Sequence, residues 1–124
     1  MKDIVLITGA TSGIGLACAG KFAENGHNLI ITGRRNARLN KISEQLARDY
    51  SVKVLPLTFD VRDNNAVKNA LLNLPEEWAR VGILINNAGL AAGMNTIQDG
   101  EVDDWERMID TNIKGLLYVT RVIL

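Results

Sequence analysis

Three glycines, Gly9, Gly13 and Gly15, punctuate the run Thr8-Gly9-Ala10-Thr11-Ser12-Gly13-Ile14-Gly15 near the start of the chain. The apolar run 4–7 precedes them and an amphipathic stretch follows. Glycine at position 9 lets a strand turn sharply into a helix. Glycines at 13 and 15 remove Cβ atoms where a phosphate and a neighbouring strand would approach. A helix starting here presents unpaired N–H groups and its positive dipole end to a diphosphate. Thr11 and Ser12 add hydroxyl donors, and Ile14 adds an N–H in the first turn. The plain alternative is a glycine-rich turn that only packs tightly. A strand before it and a helix after it form the context in which such a run cradles phosphate.

Further places along the chain could read the rest of a dinucleotide. After the second apolar run stands Ile31-Thr32-Gly33-Arg34-Arg35. A carboxylate there serves the hydroxyls of an adenosine ribose. It would repel a 2′-phosphate, whereas a guanidinium binds one with two aligned donors. Charge-assisted hydrogen bonds contribute about 1.5–3 kcal/mol each, or roughly 10- to 150-fold in preference. Arg34 and Arg35 therefore favour NADP(H) over NAD(H). The alternative leaves both as solvated arginines opening a helix, where they oppose its dipole. Asp60-Val61 could take an adenine, the carboxylate accepting from the amine while the Val61 N–H donates to the ring. Its alternative is an N-cap-like turn carboxylate. Asn86-Asn87-Ala88-Gly89 joins small residues, which let backbone approach a ribose, to asparagines that satisfy loop backbone. Alone, that run would pass for an ordinary turn.

Asn112 stands on an apolar stripe, between Met108 and Leu116, and is expected to face a sheet. A buried amide costs roughly a few kcal/mol unless it is bonded. Either Asn112 ties down neighbouring backbone, or it orients a catalytic group or water.

Elements that must position these residues alternate along the chain. Strands are predicted over 4–7, 28–32, 52–58 and 83–86. Helices are predicted over 13–25, 36–49 and 64–74, and from about 103 to the end. The first helix places Ile14, Ala17, Cys18 and Phe22 on one face, and Gly26 ends it. In the second, Leu39, Ile42, Leu46 and Ala47 repeat at helical spacing. In the last, Trp105, Met108, Ile109, Asn112, Ile113, Leu116, Leu117 and Thr120 form the stripe. Strands alternating with helices of this length read as βαβ units on a parallel sheet with helices on both faces. Pro56 favours an edge strand, because proline cannot donate to the ladder.

The 124 residues suffice for one domain, 1–124, and not for two. Apolar residues at 47% and charged residues at 23% place the chain with globular rather than disordered proteins. Lys and Arg total 14, matching 14 Asp and Glu, so no basic excess points to nucleic acid or an anionic membrane. Apolar runs of about four or five residues are too short to span a bilayer. Met1-Lys2-Asp3-Ile4 moves directly into a strand without a signal peptide, which predicts a cytoplasmic location. Cys18, alone in the sequence, excludes an intrachain disulfide and reads as a core residue. His27 reads as solvated. The acidic cluster Asp99, Glu101, Asp103, Asp104 and Glu106 suits the N-terminus of the last helix rather than a metal. The apolar stripe runs to Leu124 without a stop signal, so the chain is expected to be part of something longer.

Together these residues resemble the short-chain dehydrogenase/reductase family. Thr8 to Gly15 looks like its cofactor fingerprint, and Asp60-Val61, Asn86-Asn87-Ala88-Gly89 and Asn112 stand in its order and approximate spacing. The run Asn87-Ala88-Gly89-Leu90-Ala91-Ala92-Gly93-Met94, with Asp104 to Asn112, is most similar to the NADP-dependent 3-hydroxy acid and serine dehydrogenase branch. The resemblance implies a Rossmann-like doubly wound sheet with strand order 3-2-1-4. It implies that Gly9, Thr11, Ser12, Gly13, Ile14 and Gly15 hold the pyrophosphate and adjoining ribose. Arg34 and Arg35 would take the 2′-phosphate, and Asp60 and Val61 the adenine. Asn87, Ala88 and Gly89 would line the path to the nicotinamide ribose, and Asn112 would support the proton relay.

The family's serine and its Tyr-x-x-x-Lys pair have no counterpart here. Tyr118 has Arg121 three positions on and Val122 where the lysine would stand; Tyr118 and Arg121 are expected to be structural, and Lys114, on the same helix, is not expected to be the catalytic lysine. The resemblance therefore implies an NADP(H)-dependent oxidoreductase acting on a small-molecule alcohol or ketone, represented by its cofactor-binding half and inactive alone. A non-catalytic nucleotide-binding module and an interaction fragment are the other readings. An open fourth strand and an apolar last helix predict a homo-oligomer or pairing with a complementary fragment.

Overall fold

Strand β1 (Ile4–Ile7) is apolar at every position, because helices cover both faces of the sheet around it. The structure, a computed structural model, describes residues 2–89 and 97–124; Leu90-Ala91-Ala92-Gly93-Met94 of the resemblance lies outside the described residues. The described elements are β1, α1 (Gly13–Glu24), β2 (Leu29–Gly33), α2 (Asn36–Tyr50), β3 (Val54–Thr58), α3 (Asn64–Leu71), β4 (Val81–Ile85), α4 (Val102–Ile109) and α5 (Leu116–Ile123). A 3₁₀ turn (Glu76–Trp78) precedes β4, and a π-helical segment (Asp110–Gly115) joins α4 to α5.

The four strands are parallel in the order β3-β2-β1-β4. Pro56 lies on the edge strand β3, in register with Ile31, as its missing N–H requires. Alternate strand residues feed two separate cores. Val5, Ile7, Leu29 and Ile31 pack with Ala19, Ala23, Leu39 and Leu46 of α1 and α2. Leu6 and Ile30 pack on the other face with Val67 and Leu71 of α3, Trp78 and Val119 of α5. This is a Rossmann-like, doubly wound α/β fold. Its direction of winding reverses at β1, which opens a crevice at the carboxyl ends of the strands. No helix among the described residues is long and apolar enough to cross a membrane.

Several boundaries and faces differ from the sequence-based expectation. The helix expected over 64–74 ends at Leu71, before the 3₁₀ turn. In α1 the buried positions are Gly15, Ala19 and Ala23, while Ile14 is 75% exposed and Ala17 is exposed too. Small residues let α1 lie close to the sheet, so the inward face is marked by size and not by hydrophobicity. Cys18 is half-buried against the same core. His27 is half-buried as well: its Nδ1 lies 2.8 Å from the Asp3 carbonyl and its ring meets Phe22 edge-on.

The last helix departs furthest from expectation. Its π segment shifts the helical phase, because each turn there takes up an extra residue. The face turned to the sheet carries Gly115 and Val119, with Tyr118, Val122 and Ile123 beside them. The expected inward stripe instead points largely outward: Ile109, Ile113, Leu116 and Leu117 are exposed, and so is Asn112.

Candidate functional site

Thr8, the residue after β1, is buried and polar. Its Oγ1 accepts the backbone N–H groups of both Asn87 and Ala88, each at 3.0 Å. Asn87 reciprocates, its Nδ2 donating to the Gly9 carbonyl at 3.0 Å. These bonds tie the loop after β1 to the loop after β4. The tie requires missing side chains. A Cβ on Gly9, which has φ +65, would stand 2.8 Å from the Ala88 Cα. One on Gly15 would stand 2.3 Å from the Gly9 carbonyl oxygen and 2.4 Å from Asn87 Nδ2.

Beside this junction the crevice opens into a cleft of about 240 Å³. Gly9, Thr11 and Ser12 line one end, Arg34 and Arg35 the side beyond β2, Asp60 and Val61 the side beyond β3, and Asn87, Ala88 and Gly89 the side beyond β4. Ser12 stands at the N-cap of α1, with no side-chain capping bond and no acidic residue in the first turn among the described residues. Gly13 and Ile14 are exposed on that first turn, and nothing lies within 4 Å of where a Gly13 Cβ would be. Gly15 is buried behind them. The positive helix end therefore faces open space at the mouth of the cleft.

Asp60 anchors the wall of the cleft beyond β3. Arg62 donates to it from the side chain and from its own backbone N–H, with a shortest contact of 2.7 Å from Nη2 to Oδ2. The side-chain bond from Arg62 holds the Asp60 carboxyl below its ordinary pKa of 3.8, against the opposing effect of burial. The positive charge of Arg34 acts in the same direction.

The structure thus gathers most of the sequence-predicted residues around one cleft. Asn112 stands at its rim: an added Gly89 Cβ would lie 3.5 Å from Asn112 Oδ1. Its expected burial against the sheet is not found, because the π segment turns it outward. Tyr118 packs against the core built on Leu6 and Ile30, Lys114 pairs with Asp110 at 3.3 Å and Arg121 donates to Asn64 at 3.2 Å. Asp103 and Asp104 occupy the first turn of α4, and no metal-holding group occurs among the described residues.

Residues 3–124 match the short chain dehydrogenase family. The chain belongs to that family. It is 52% identical over 124 residues, all of this chain and 48% of the relative, to sulfoacetaldehyde reductase 2 of Chromohalobacter salexigens. It is 46% identical over 121 residues, 98% of this chain and 47% of the relative, to the NADP-dependent 3-hydroxy acid dehydrogenase of Escherichia coli. The closed form of serine dehydrogenase complexed with NADP+ superposes with a TM-score of 0.90 at 45% identity, covering 98% of this chain and 47% of that one. The chain spans about half the length of the curated relatives it matches.

Four lining residues of this family member escaped the sequence reading: Thr32, Gly33, Phe59 and Thr111. Thr32 and Gly33 end a strand, Phe59 reads as core and Thr111 precedes a more conspicuous asparagine. Arg62 was missed too, although an arginine two residues after an aspartate can fold back on it through an Asx turn.

Proposed function

We propose that the cleft binds NADP(H) as the dinucleotide half of an oxidoreductase. That enzyme moves a hydride between nicotinamide and a secondary alcohol or ketone, with a 3-hydroxy acid the favoured substrate class. One observation carries the reading: the glycine turn, two arginines, an ionised aspartate and the Asn87-Ala88-Gly89 loop line a single cleft. The residues fit the cofactor, because glycines stand where side chains would collide and the mouth of α1 is open. The names of the NADP-dependent and NADP+-bound relatives support it.

In this reading the first turn of α1, with Thr11 and Ser12, holds the diphosphate. Arg34 and Arg35 pair with the 2′-phosphate and so favour the phosphorylated dinucleotide. Asp60 accepts from the adenine amine and the Val61 N–H donates to the ring. Asn87, Ala88 and Gly89 line the nicotinamide ribose. Bound cofactor supplies the hydride acceptor or donor. Asn112 serves as a positioning residue at the rim, supporting the proton relay. The only ionisable residues lining the described cleft are Arg34, Arg35 and Asp60. None is suited to exchange a proton with an alcohol near neutral pH, which favours a chain that binds cofactor without turning substrate over alone.

A cytoplasmic location belongs to the same proposal. So does association with a second copy or a complementary chain, supported by exposed Trp105, Ile109, Ile113 and Leu117. Calorimetric titration of the folded chain tests the central reading. NADPH is expected to bind more tightly than NADH; heat from neither would overturn it.

A further inference from the structure

The Asp60 carboxylate lines the cleft and also accepts several N–H groups from one neighbour. The backbone N–H of Arg62 donates to Oδ1 at 2.9 Å. Arg62 Nε reaches Oδ1 at 3.1 Å and Oδ2 at 3.0 Å, and Nη2 reaches Oδ2 at 2.7 Å. Three N–H groups thus converge on a group with about four acceptor positions. Because the Nε–H is shared between the two oxygens, these three donors leave room for about one more.

The arginine approaches from behind. Asp60 lines both the cleft and a neighbouring outer hollow, whereas Arg62 lines only the hollow, together with Asp110 and Tyr118. Asp110 attracts the guanidinium from its own side, and Asp60 is the stronger partner. The fork therefore fixes the orientation of the carboxylate and keeps it an acceptor, while leaving its cleft side uncovered.

We infer that Arg62 is a positioning residue for base selection: it locks Asp60 so that the one remaining acceptor position demands a nucleobase with an exocyclic amine. The inference rests on the dinucleotide reading above and adds a specificity determinant to it. A base bearing a 6-oxo group offers an acceptor to this acceptor and leaves the remaining position unfilled. Sites built around such a hydrogen bond discriminate strongly against analogues lacking the donor. Without the fork, only the backbone N–H of residue 62 holds the side chain, which then trades its ligand bond for water more readily.

The test compares NADPH with its deaminated analogue, reduced nicotinamide hypoxanthine dinucleotide phosphate, by calorimetry on the full chain. Wild type is expected to prefer NADPH by about 10-fold or more, the worth of one hydrogen bond to a charged group. Arg62→Met should reduce that ratio to within about 3-fold of unity. Arg62→Lys, which keeps the charge but not the fork, should give an intermediate ratio, and it decides the matter if Arg62→Met does not fold. A purely structural role weakens both ligands together. An unchanged ratio in a folded variant therefore overturns the inference while leaving the dinucleotide reading intact. Failure of wild type to bind either ligand overturns both.

Discussion

Asn87 reaches across 78 residues of sequence to donate its side-chain amide to the Gly9 carbonyl at 3.0 Å. That bond closes the junction between the first and fourth strands, on which one wall of the cleft stands. It passes through the space where a side chain at position 15 would be.

Gly15→Ala should therefore be costly although alanine favours helices. Its Cβ would meet the Gly9 oxygen and Asn87 Nδ2 at 2.3 and 2.4 Å. Overpacking of this kind costs about 1–3 kcal/mol. Urea denaturation followed by circular dichroism should show a lower midpoint, together with weaker NADPH binding. A wild-type midpoint would show that the two loops separate freely.

Thr8→Val keeps the shape of the side chain and removes the acceptor of two backbone N–H groups. Leaving such donors unpaired costs about 1–3 kcal/mol each at most, less where water can reach them. Thr8→Ser retains the hydroxyl and should recover much of the loss. Equal stability of the valine and serine variants would remove Thr8 from the list of ties.

Replacing Arg34 and Arg35 by alanine should narrow the preference for NADPH over NADH without unfolding the chain, since both side chains are exposed. Each lost phosphate contact removes roughly 10- to 150-fold of preference. Fluorescence titration of both dinucleotides gives the ratio, and a wild-type ratio in the double variant would assign the 2′-phosphate to other residues.

Because the folded-state pKa of Asp60 is depressed, its pairing stabilises the fold fully above the ordinary carboxylate range. The stabilisation is lost as pH falls through the lowered folded value, below 3.8. The stability difference between wild type and Asp60→Asn should thus be flat from about pH 5 upward and shrink under acid. Denaturation curves at several pH values measure it; a difference that grows as pH falls contradicts the pairing.

Ser51 closes α2 with φ 54 and ψ 40, a left-handed conformation that costs a non-glycine residue about 1 kcal/mol. Ser51→Gly should recover part of that cost and raise the urea midpoint. A lower midpoint would mean that greater freedom of the unfolded chain outweighs the relief.

The parallel sheet and the edge position of Pro56 were legible in the sequence, while the strand order followed from the family resemblance. Continuous apolar strands and amphipathic helices announce themselves through local periodicity, and the glycine turn through the conformations that only glycine adopts easily. So were most of the residues lining the cleft, because they stand at the carboxyl ends of parallel strands, which open on one side of the sheet; Thr32, Gly33, Phe59 and Thr111 were not. The orientation of the last helix was not legible. A single π segment shifts its phase, and hydrophobic spacing cannot register that shift, so Asn112 emerged at a rim instead of in a core. Nor could spacing reveal that Thr8 holds the Asn87 loop, a contact made across 79 residues. Sequence pattern determines which elements form, since that depends on near neighbours. Which polar atoms meet depends on how strands distant in sequence are placed side by side, and only the packed sheet decides that.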